Sequence, residues 1–215
     1  MIAASNLLSV QRKDQIMTIG IIGAGSIGAA FARKLAQAEI PAILSNSRGP
    51  DSLADLVADI GGAVRAGTRN EAAAQNLVLV AVNWSKLPAA LAGLPDFGGR
   101  IVIDANNPIV APPFQLAELH GRLSTEVFAD YVPGARVVKA FNHLPAKLLE
   151  EDPRTIGGRR VLFFAGSDAP AKAEAAALID KLGFFGVDLG QLNEGGRAIS
   201  VPGGALAIQN LIRLD

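Results

Sequence analysis

The sequence contains no cysteine. A disulfide framework, a thiolate metal site and a cysteine nucleophile are therefore excluded. Histidine is scarce as well, with 2 residues among 215. Because the carboxylates form no cluster either, we expect no metal ion held by protein ligands.

An excess of charge is also missing, since 20 lysines and arginines balance 20 aspartates and glutamates. No basic stripe is interleaved with aromatic residues, so we expect no nucleic-acid partner. No apolar run reaches the ~18 residues that a membrane span requires, so we expect no membrane partner. Residues 1–16 lack the continuous apolar core of a signal peptide and predict a disordered extension. These absences predict a cytoplasmic protein.

Short apolar runs alternate with helical patterns over residues 17–190. This repetition predicts one α/β domain, a Rossmann-like doubly wound and mainly parallel sheet with helices on both faces. After strands that begin near residues 18 and 42, we expect strands at 63–65, 77–82, 101–104, 136–140, 161–165 and 184–188. We expect helices from 29 and at 51–60, 70–75, 85–91, 123–131 and 168–182. Residues 191–215 predict a C-terminal helical segment that packs on the sheet or serves dimerisation.

The most informative stretch is residues 18–28, where an apolar run leads into Gly23-x-Gly25-x-x-Gly28. A helical pattern begins directly afterwards. In a dinucleotide-binding unit these glycines allow a tight turn, the approach of a pyrophosphate and close packing of helix on strand. The pyrophosphate would bind the free N–H groups at the helix start. The alternative is a buried strand–turn–helix without a ligand.

The end of the second predicted strand favours NADP(H) over NAD(H). An NAD-preferring site usually carries an acid about 20 residues after the glycine turn. This chain has Ser47 and Arg48 there, whereas Asp51 comes later and is expected to cap the next helix. Arginine forms forked, charge-assisted hydrogen bonds to phosphate oxygens, which suits a 2′-phosphate. A solvated arginine in a polar loop is the alternative.

Polar side chains also follow three other predicted strands, and ligands of such sheets lie across the carboxyl ends of the strands. The pairs are Asn83 and Trp84, Asn106 and Asn107, and Asn142 and His143. An amide can bond a carboxamide or a ribose. Trp84 either flanks the cofactor or anchors the next helix in the core. Asp104 is placed to orient the loop that carries Asn106, or to cap it.

His143 is the candidate proton donor, because histidine titrates near neutral pH. Its alternative is a loop histidine with structural contacts. The only tyrosine is Tyr131 and position 135 is alanine, so the Tyr-x-x-x-Lys pair of short-chain dehydrogenases is absent. No clear acid–base pair is present. Hydride transfer between two flat heterocycles requires stacking and orientation more than proton transfer.

The chain resembles the reductases that pass hydride between NADP(H) and factor 420, a deazaflavin coenzyme. It is also similar to the reductase domain of ferric reductases, which share that fold. The resemblance spans residue 17 to the C-terminus and rests on residues 21–28, 45–50, 104–108, 137–145 and 187–190. It implies NADP(H) as cofactor, factor 420 or a flavin as co-substrate, and a homodimer formed through the C-terminal segment.

The resemblance also implies roles for residues of this chain. Ser26, Ile27, Ser47 and Arg48 would hold the phosphates and ribose, and Asn83 and Trp84 would line the groove. Asn142, His143 and Pro145 would shape the pocket that faces the nicotinamide. Together with the residue patterns, the candidate catalytic residues are His143 and Asn142. The candidate cofactor-binding residues are Gly23, Gly25, Ser26, Ile27, Gly28, Ser47, Arg48, Asn83, Trp84 and Asn106.

The chain departs from this family after Gly190. Gly195 and Gly196 stand where family members usually begin a regular helix, and no glycine-rich tail precedes Asp215. These departures favour NADP(H) binding over deazaflavin use. We expect an NADP(H)-dependent oxidoreductase with a flavin-like or deazaflavin acceptor, and the departures leave a quinone or a small carbonyl compound open as acceptor. The alternatives are a non-catalytic NADP(H)-sensing protein and a small imine or ketone reductase with His143 as proton donor.

Overall fold

The computed structural model describes residues 18–112, 114–155 and 157–215, so the extension expected at residues 1–16 lies outside it. The strands are β1 (Ile19–Ile22), β2 (Ala42–Ser45), β3 (Val64–Ala66), β4 (Leu77–Val80), β5 (Ile101–Asp104), β6 (Ile109–Val110), β7 (Gln115–Leu116), β8 (Arg136–Ala140), β9 (Arg154–Thr155), β10 (Gly158–Gly166), β11 (Phe185–Asp188) and β12 (Ile212–Leu214). The helices are α1 (Ser26–Gln37), α2 (Ala54–Ile60), α3 (Arg69–Ala73), α4 (Leu87–Leu91), α5 (Ser124–Asp130), α6 (Ala146–Glu150) and α7 (Ala169–Lys181).

The main sheet has the strand order β11-β10-β8-β5-β4-β1-β2-β3. From β3 to β8 all neighbours are parallel. Strand β10 runs antiparallel to β8, and β11 is parallel to β10. The prediction of a Rossmann-like, mainly parallel sheet is confirmed.

The sheet is covered on both faces. In β1, Ile19 and Ile21 pack in one hydrophobic cluster together with Phe31 of α1. Ile22 points into a second cluster that includes Phe128 of α5. Strands buried on both faces consist of continuous apolar runs, which explains why the pattern at residues 19–22 does not alternate with polar residues.

Two close backbone approaches fix the helices against β1. A Cβ on Gly20 would stand 1.9 Å from the carbonyl oxygen of Ala72 in α3. A Cβ on Gly28 would stand 1.9 Å from the carbonyl oxygen of Gly23, whose φ is +112°. The sequence therefore has glycine where α1 and α3 touch the strand and turn.

The C-terminal segment differs from its prediction. Only Leu192–Gly196 forms a short π-helical turn, and the chain ends in β12, which pairs antiparallel with β10. Gly195 lies so close to the Leu189 carbonyl that a Cβ would be 2.5 Å away, and Gly203 has a φ of +92°. The positive φ at Gly203 does not continue a helix, and the segment packs on the sheet through Ile199, which joins Phe163.

A second local expectation was wrong. Asp51 caps no helix. It lies inside a 3₁₀ turn, Pro50–Leu53, and the N-cap residue of that turn is Gly49.

Among the residues that the structure describes, no helix is long and apolar enough to cross a membrane.

Replacement of Gly20 by alanine tests the contact between α3 and β1. The added methyl group would collide with the Ala72 carbonyl, so we expect the free energy of unfolding to fall by about 3 kcal/mol. Urea denaturation measures it. Gly25→Ala is the matched control, since a Cβ there meets no atom within 4 Å; its stability should stay within about 1 kcal/mol of wild type. Equal stability of the two variants would contradict the close-contact explanation.

Candidate functional site

A cavity of about 560 Å³ lies at the carboxyl ends of β1, β2 and β4. Its walls come from the glycine turn, the loop after β2, the start of α3 and the segment that follows β4. The lining residues are Ile22, Gly23, Ala24, Gly25, Asn46, Ser47, Arg48, Arg69, Ala81, Val82, Asn83, Lys86, Ala89 and Ala90. No aspartate or glutamate is among them, whereas three side chains are cationic. The cavity therefore suits an anionic ligand.

The glycine turn forms a cradle at one end of this cavity. A Cβ on Gly25 would meet no protein atom within 4 Å, so the protein itself does not require glycine here. The first hydrogen bond of α1 runs from the Ala29 amide to the Gly25 carbonyl, which leaves the earlier N–H groups of the helix without a partner in it. No acidic side chain stands in the first turn. These features fit a pyrophosphate at the helix start.

Ser26 and Ile27 carry two of those N–H groups. Ser26 is exposed and Ile27 is half-buried. Gly28 is buried behind the turn, where it serves packing and not ligand contact. The positive φ of Gly23 and the close packing at Gly28 agree with the predicted turn and packing roles, and the pyrophosphate contact at Gly25 stays a prediction.

The loop after β2 places Ser47 and Arg48 at the cavity, and both are exposed. Asn46 holds this loop, because its Oδ1 accepts from the Arg48 amide at 2.9 Å and its Nδ2 donates to Ser52 Oγ at 2.9 Å. The Arg48 guanidinium makes no ion pair within the described part of the chain. Its charge is available to a phosphate.

Asn106, expected at the cofactor, serves the protein instead. It is buried, its Oδ1 accepts from the Val82 amide at 2.8 Å, and its Nδ2 donates to the Val80 carbonyl at 3.1 Å. The same Nδ2 also donates to Asp104 Oδ1 at 2.8 Å. The amide is occupied by these contacts, so Asn106 positions the cavity wall at Val82 and does not itself line the cavity.

Asp104 and Lys139 form a buried ion pair beside this amide. Both side chains are fully buried, and Lys139 Nζ lies 2.8 Å from Asp104 Oδ2. Lys139 Nζ also donates to the Asn106 carbonyl. The expectation that Asp104 orients the loop fits this arrangement, in which the carboxylate additionally accepts from the Asn106 amide at 2.9 Å.

Asn142 and His143, the candidate catalytic residues, do not line the cavity. Asn142 Nδ2 donates to Asn107 Oδ1 at 3.0 Å and to the Ile199 carbonyl at 2.8 Å. His143 is fully buried, with its ring centroid 5.2 Å from that of Phe163. The C-terminal segment covers both residues, and this cover is the physical reason why the expected pocket is absent from this place.

Burial lowers the pKa of His143 to about 4. Neither ring nitrogen has a hydrogen-bond partner within the described residues. A neutral, enclosed imidazole cannot donate a proton to a substrate near neutral pH. The catalytic role expected for His143 is therefore not supported by its surroundings.

Trp84 and Asn83 separate at the end of β4. Trp84 is 8% exposed and packs with Leu87 in the core, so it does not line the cavity. Asn83 does line it, and its Nδ2 donates to the Ala111 carbonyl at 3.1 Å. The structure therefore shows the second alternative, in which Trp84 anchors the following helix in the core.

Two cavity residues, Arg69 and Lys86, are missing from the sequence-based candidates. A signal for Arg69 was present, because Thr68-x-x-Glu71 matches the capping box that marks a helix start. The structure has that box, with the Thr68 and Glu71 side chains each bonded to the other's backbone amide. A helix start directly after β3 places its first residue at the carboxyl edge of the sheet.

Comparison with known proteins identifies relatives of the chain. A family model described as NADP oxidoreductase, coenzyme F420-dependent, matches residues 18–108. A hypothetical protein of Sinorhizobium meliloti is 42% identical, with a TM-score of 0.86 over 95% of this chain and 99% of that one.

Two further relatives carry a functional description. A protein of Arthrobacter sp. FB24, whose description proposes an F420-dependent NADP reductase, is 29% identical, with a TM-score of 0.70 over 82% of this chain and 86% of that one. The metalloreductase STEAP3 of Rattus norvegicus is 26% identical over 185 residues. That match covers 86% of this chain but only 36% of STEAP3.

Acid should destabilise the protein through His143. Its pKa is about 4 in the folded chain, against an ordinary value of 6.5. The stability that the neutral ring contributes is thus complete above pH 6.5 and declines by about 1.4 kcal/mol per pH unit toward pH 4, because the unfolded chain binds the proton first. Between pH 6.5 and pH 4 we expect the free energy of unfolding of the wild-type protein to fall by about 3 kcal/mol through this residue. The His143→Phe variant should not show this loss.

Urea denaturation from pH 4 to 8 measures this difference. His120→Gln is the control, since the His120 side chain is 85% exposed, and it should keep the acid sensitivity of wild type. Stability curves that run parallel for wild type and His143→Phe would contradict the assignment.

Proposed function

Because the chain belongs to the family of NADP oxidoreductases described as coenzyme F420-dependent, we propose that it passes hydride between NADPH and a flavin or deazaflavin acceptor. One observation carries the proposal beyond the family. The cavity combines a glycine cradle with three cationic side chains that form no ion pair among the described residues, and its lining has no histidine, carboxylate, tyrosine or cysteine. Such a lining can bind and orient a dinucleotide, and Lys86 is the one lysine in it that could exchange a proton.

The residues of the cavity fit NADP(H) in a definite order. The amides after Gly25 would hold the pyrophosphate. Ser47 and Arg48, at the end of β2, would hold the ribose and its 2′-phosphate. Asn83, at the end of β4, would contact the nicotinamide half. When bound, the cofactor supplies the hydride, and the protein residues supply position and exclude water.

What the cavity lacks supports the proposed class of acceptor. Reduction of a ketone or an imine needs a proton at oxygen or nitrogen, and His143, the donor expected for that alternative, is enclosed and neutral. A flavin or deazaflavin delocalises the added charge over its own ring and needs chiefly stacking and orientation. This difference favours a flat heterocyclic acceptor over a small carbonyl compound.

The homodimer implied by the resemblance stays a prediction. Ile208 and Leu214 in the C-terminal segment are 66% and 67% exposed. Large apolar side chains at that exposure are suited to an interface between two copies.

Removal of the Arg48 charge should change cofactor selectivity. In Arg48→Gln the 2′-phosphate loses a charge-assisted hydrogen bond, so NADPH affinity should fall by about 10- to 100-fold while NADH affinity stays unchanged. Calorimetric titration measures both ligands. Arg122→Gln is the control, because Arg122 pairs with Asp130 and does not line the cavity. Equal loss of NADPH and NADH affinity would overturn the assignment of Arg48.

Oxidation of NADPH should depend on the class of acceptor. With the purified protein we expect turnover with factor 420 or FMN and none with simple ketones or preformed imines, measured by the loss of absorbance of the reduced nicotinamide. Tight NADPH binding without turnover for any acceptor would instead support the sensing alternative. Failure to bind NADPH at all would remove the proposed function.

A further inference from the structure

We propose that Arg69 forms the adenine wall of the cofactor cavity, with the plane of its guanidinium against the purine ring. This inference rests on the proposed NADPH site and adds a residue that neither the glycine motif nor the loop after β2 indicates. It begins from how the cavity divides along its length.

The order of groups in the cofactor fixes where adenine can lie. The pyrophosphate belongs at the cradle of Gly25, and the ribose phosphate belongs at Ser47 and Arg48. Adenine is attached to that ribose on the side away from the pyrophosphate. Among the lining residues assigned to neither group are Arg69, Ala89 and Ala90, which lie together because Arg69 bonds to the carbonyls of both alanines. A flat cation beside two small apolar residues suits the face of a purine.

Arg69 is held in place by its backbone. It is the first residue of α3, and the capping box of Thr68 and Glu71 fixes the start of that helix. The helix itself lies against β1 at the Gly20–Ala72 contact, which has no room for a Cβ. The position of the Arg69 Cα is thereby set by packing that any ligand leaves unchanged.

The Arg69 side chain is held as well. Its Nη1 donates to the Ala89 carbonyl at 2.7 Å and to the Ala90 carbonyl at 2.8 Å. These carbonyls lie near the end of α4, where helical carbonyls lack intrahelical partners. Because both bonds are made by Nη1, the flat faces of the guanidinium can still contact a ligand. No carboxylate within the described chain forms an ion pair with it.

Such a guanidinium attracts the face of a purine, as cations attract other π systems. Because its position is fixed before binding, little side-chain entropy is lost when the ligand arrives. Arg69 and Arg48 therefore divide the adenosine end between them: Arg48 binds the 2′-phosphate, and Arg69 binds the base, which NADPH and NADH share.

The test compares Arg69→Met with Arg48→Gln in the full chain, by calorimetric titration of NADPH, NADH, 5′-AMP and reduced nicotinamide mononucleotide. For Arg69→Met we expect affinity to fall about tenfold for the three ligands that contain adenine, with the ratio of NADPH to NADH affinity unchanged. Reduced nicotinamide mononucleotide has no adenine and should bind as it does to wild type. Arg48→Gln should weaken NADPH alone.

Arg69→Lys is the second variant, since lysine keeps the charge and a donor for the Ala89 carbonyl but has no plane. It should lose several-fold in affinity for the adenine ligands while its melting temperature stays near that of wild type. That result would distinguish stacking of the Arg69 guanidinium on adenine from a role of Arg69 in stabilising α4.

Three results would overturn the inference. Unchanged affinity for adenine ligands would remove the contact, and loss confined to NADPH would make Arg69 a second phosphate ligand. Equal loss for reduced nicotinamide mononucleotide, with a lower melting temperature, would make Arg69 only a support of the cavity. If wild type bound neither NADPH nor 5′-AMP, the proposed function would fail first.

Discussion

The buried ion pair between Asp104 and Lys139 holds together the end of the sheet on which the cavity depends. It links β5 to β8, and both partners touch Asn106. Asn106 in turn holds the Val82 amide at the cavity wall. Two charges without solvent are tolerated only with close pairing and further hydrogen bonds. Loss of either partner would leave a charge in the core, so the wall at Val82 is defined by the whole network and not by one bond.

The same carboxyl edge divides into two parts with different tasks. On the side of β1, β2 and β4 the strand ends stay open and form the cavity. On the side of β8 the polar residues are occupied by the C-terminal segment, since Asn107 Oδ1 accepts from the Val201 amide at 3.0 Å and the His143 carbonyl accepts from Ile208 at 3.0 Å. Polar side chains at strand ends thus line a cavity in one half and bind the chain itself in the other.

This division explains what the sequence could and could not predict. The parallel strands on the side of the cavity, the glycine turn and the Ser47–Arg48 loop follow from patterns that lie close together in the chain, and the structure has all of them. The environment of His143 depends on Ile199 and Ile208, which are more than fifty residues away in sequence. Local patterns carry no information about such a cover. Trp84 was ambiguous for a related reason, because a large side chain after a strand can point either way.

The electrostatics of the cavity are local. The chain has a net charge of zero, so a long-range field cannot account for affinity toward an anionic cofactor. The two arginines at the adenosine end are prepared differently. Arg48 stands on an exposed loop, and a phosphate must order its side chain, which has an entropic cost but gains a strong charge-assisted bond. Arg69 is already ordered by the carbonyls of α4. Under the proposed function, the exposed Arg48 would select the phosphate and the ordered Arg69 would orient the base.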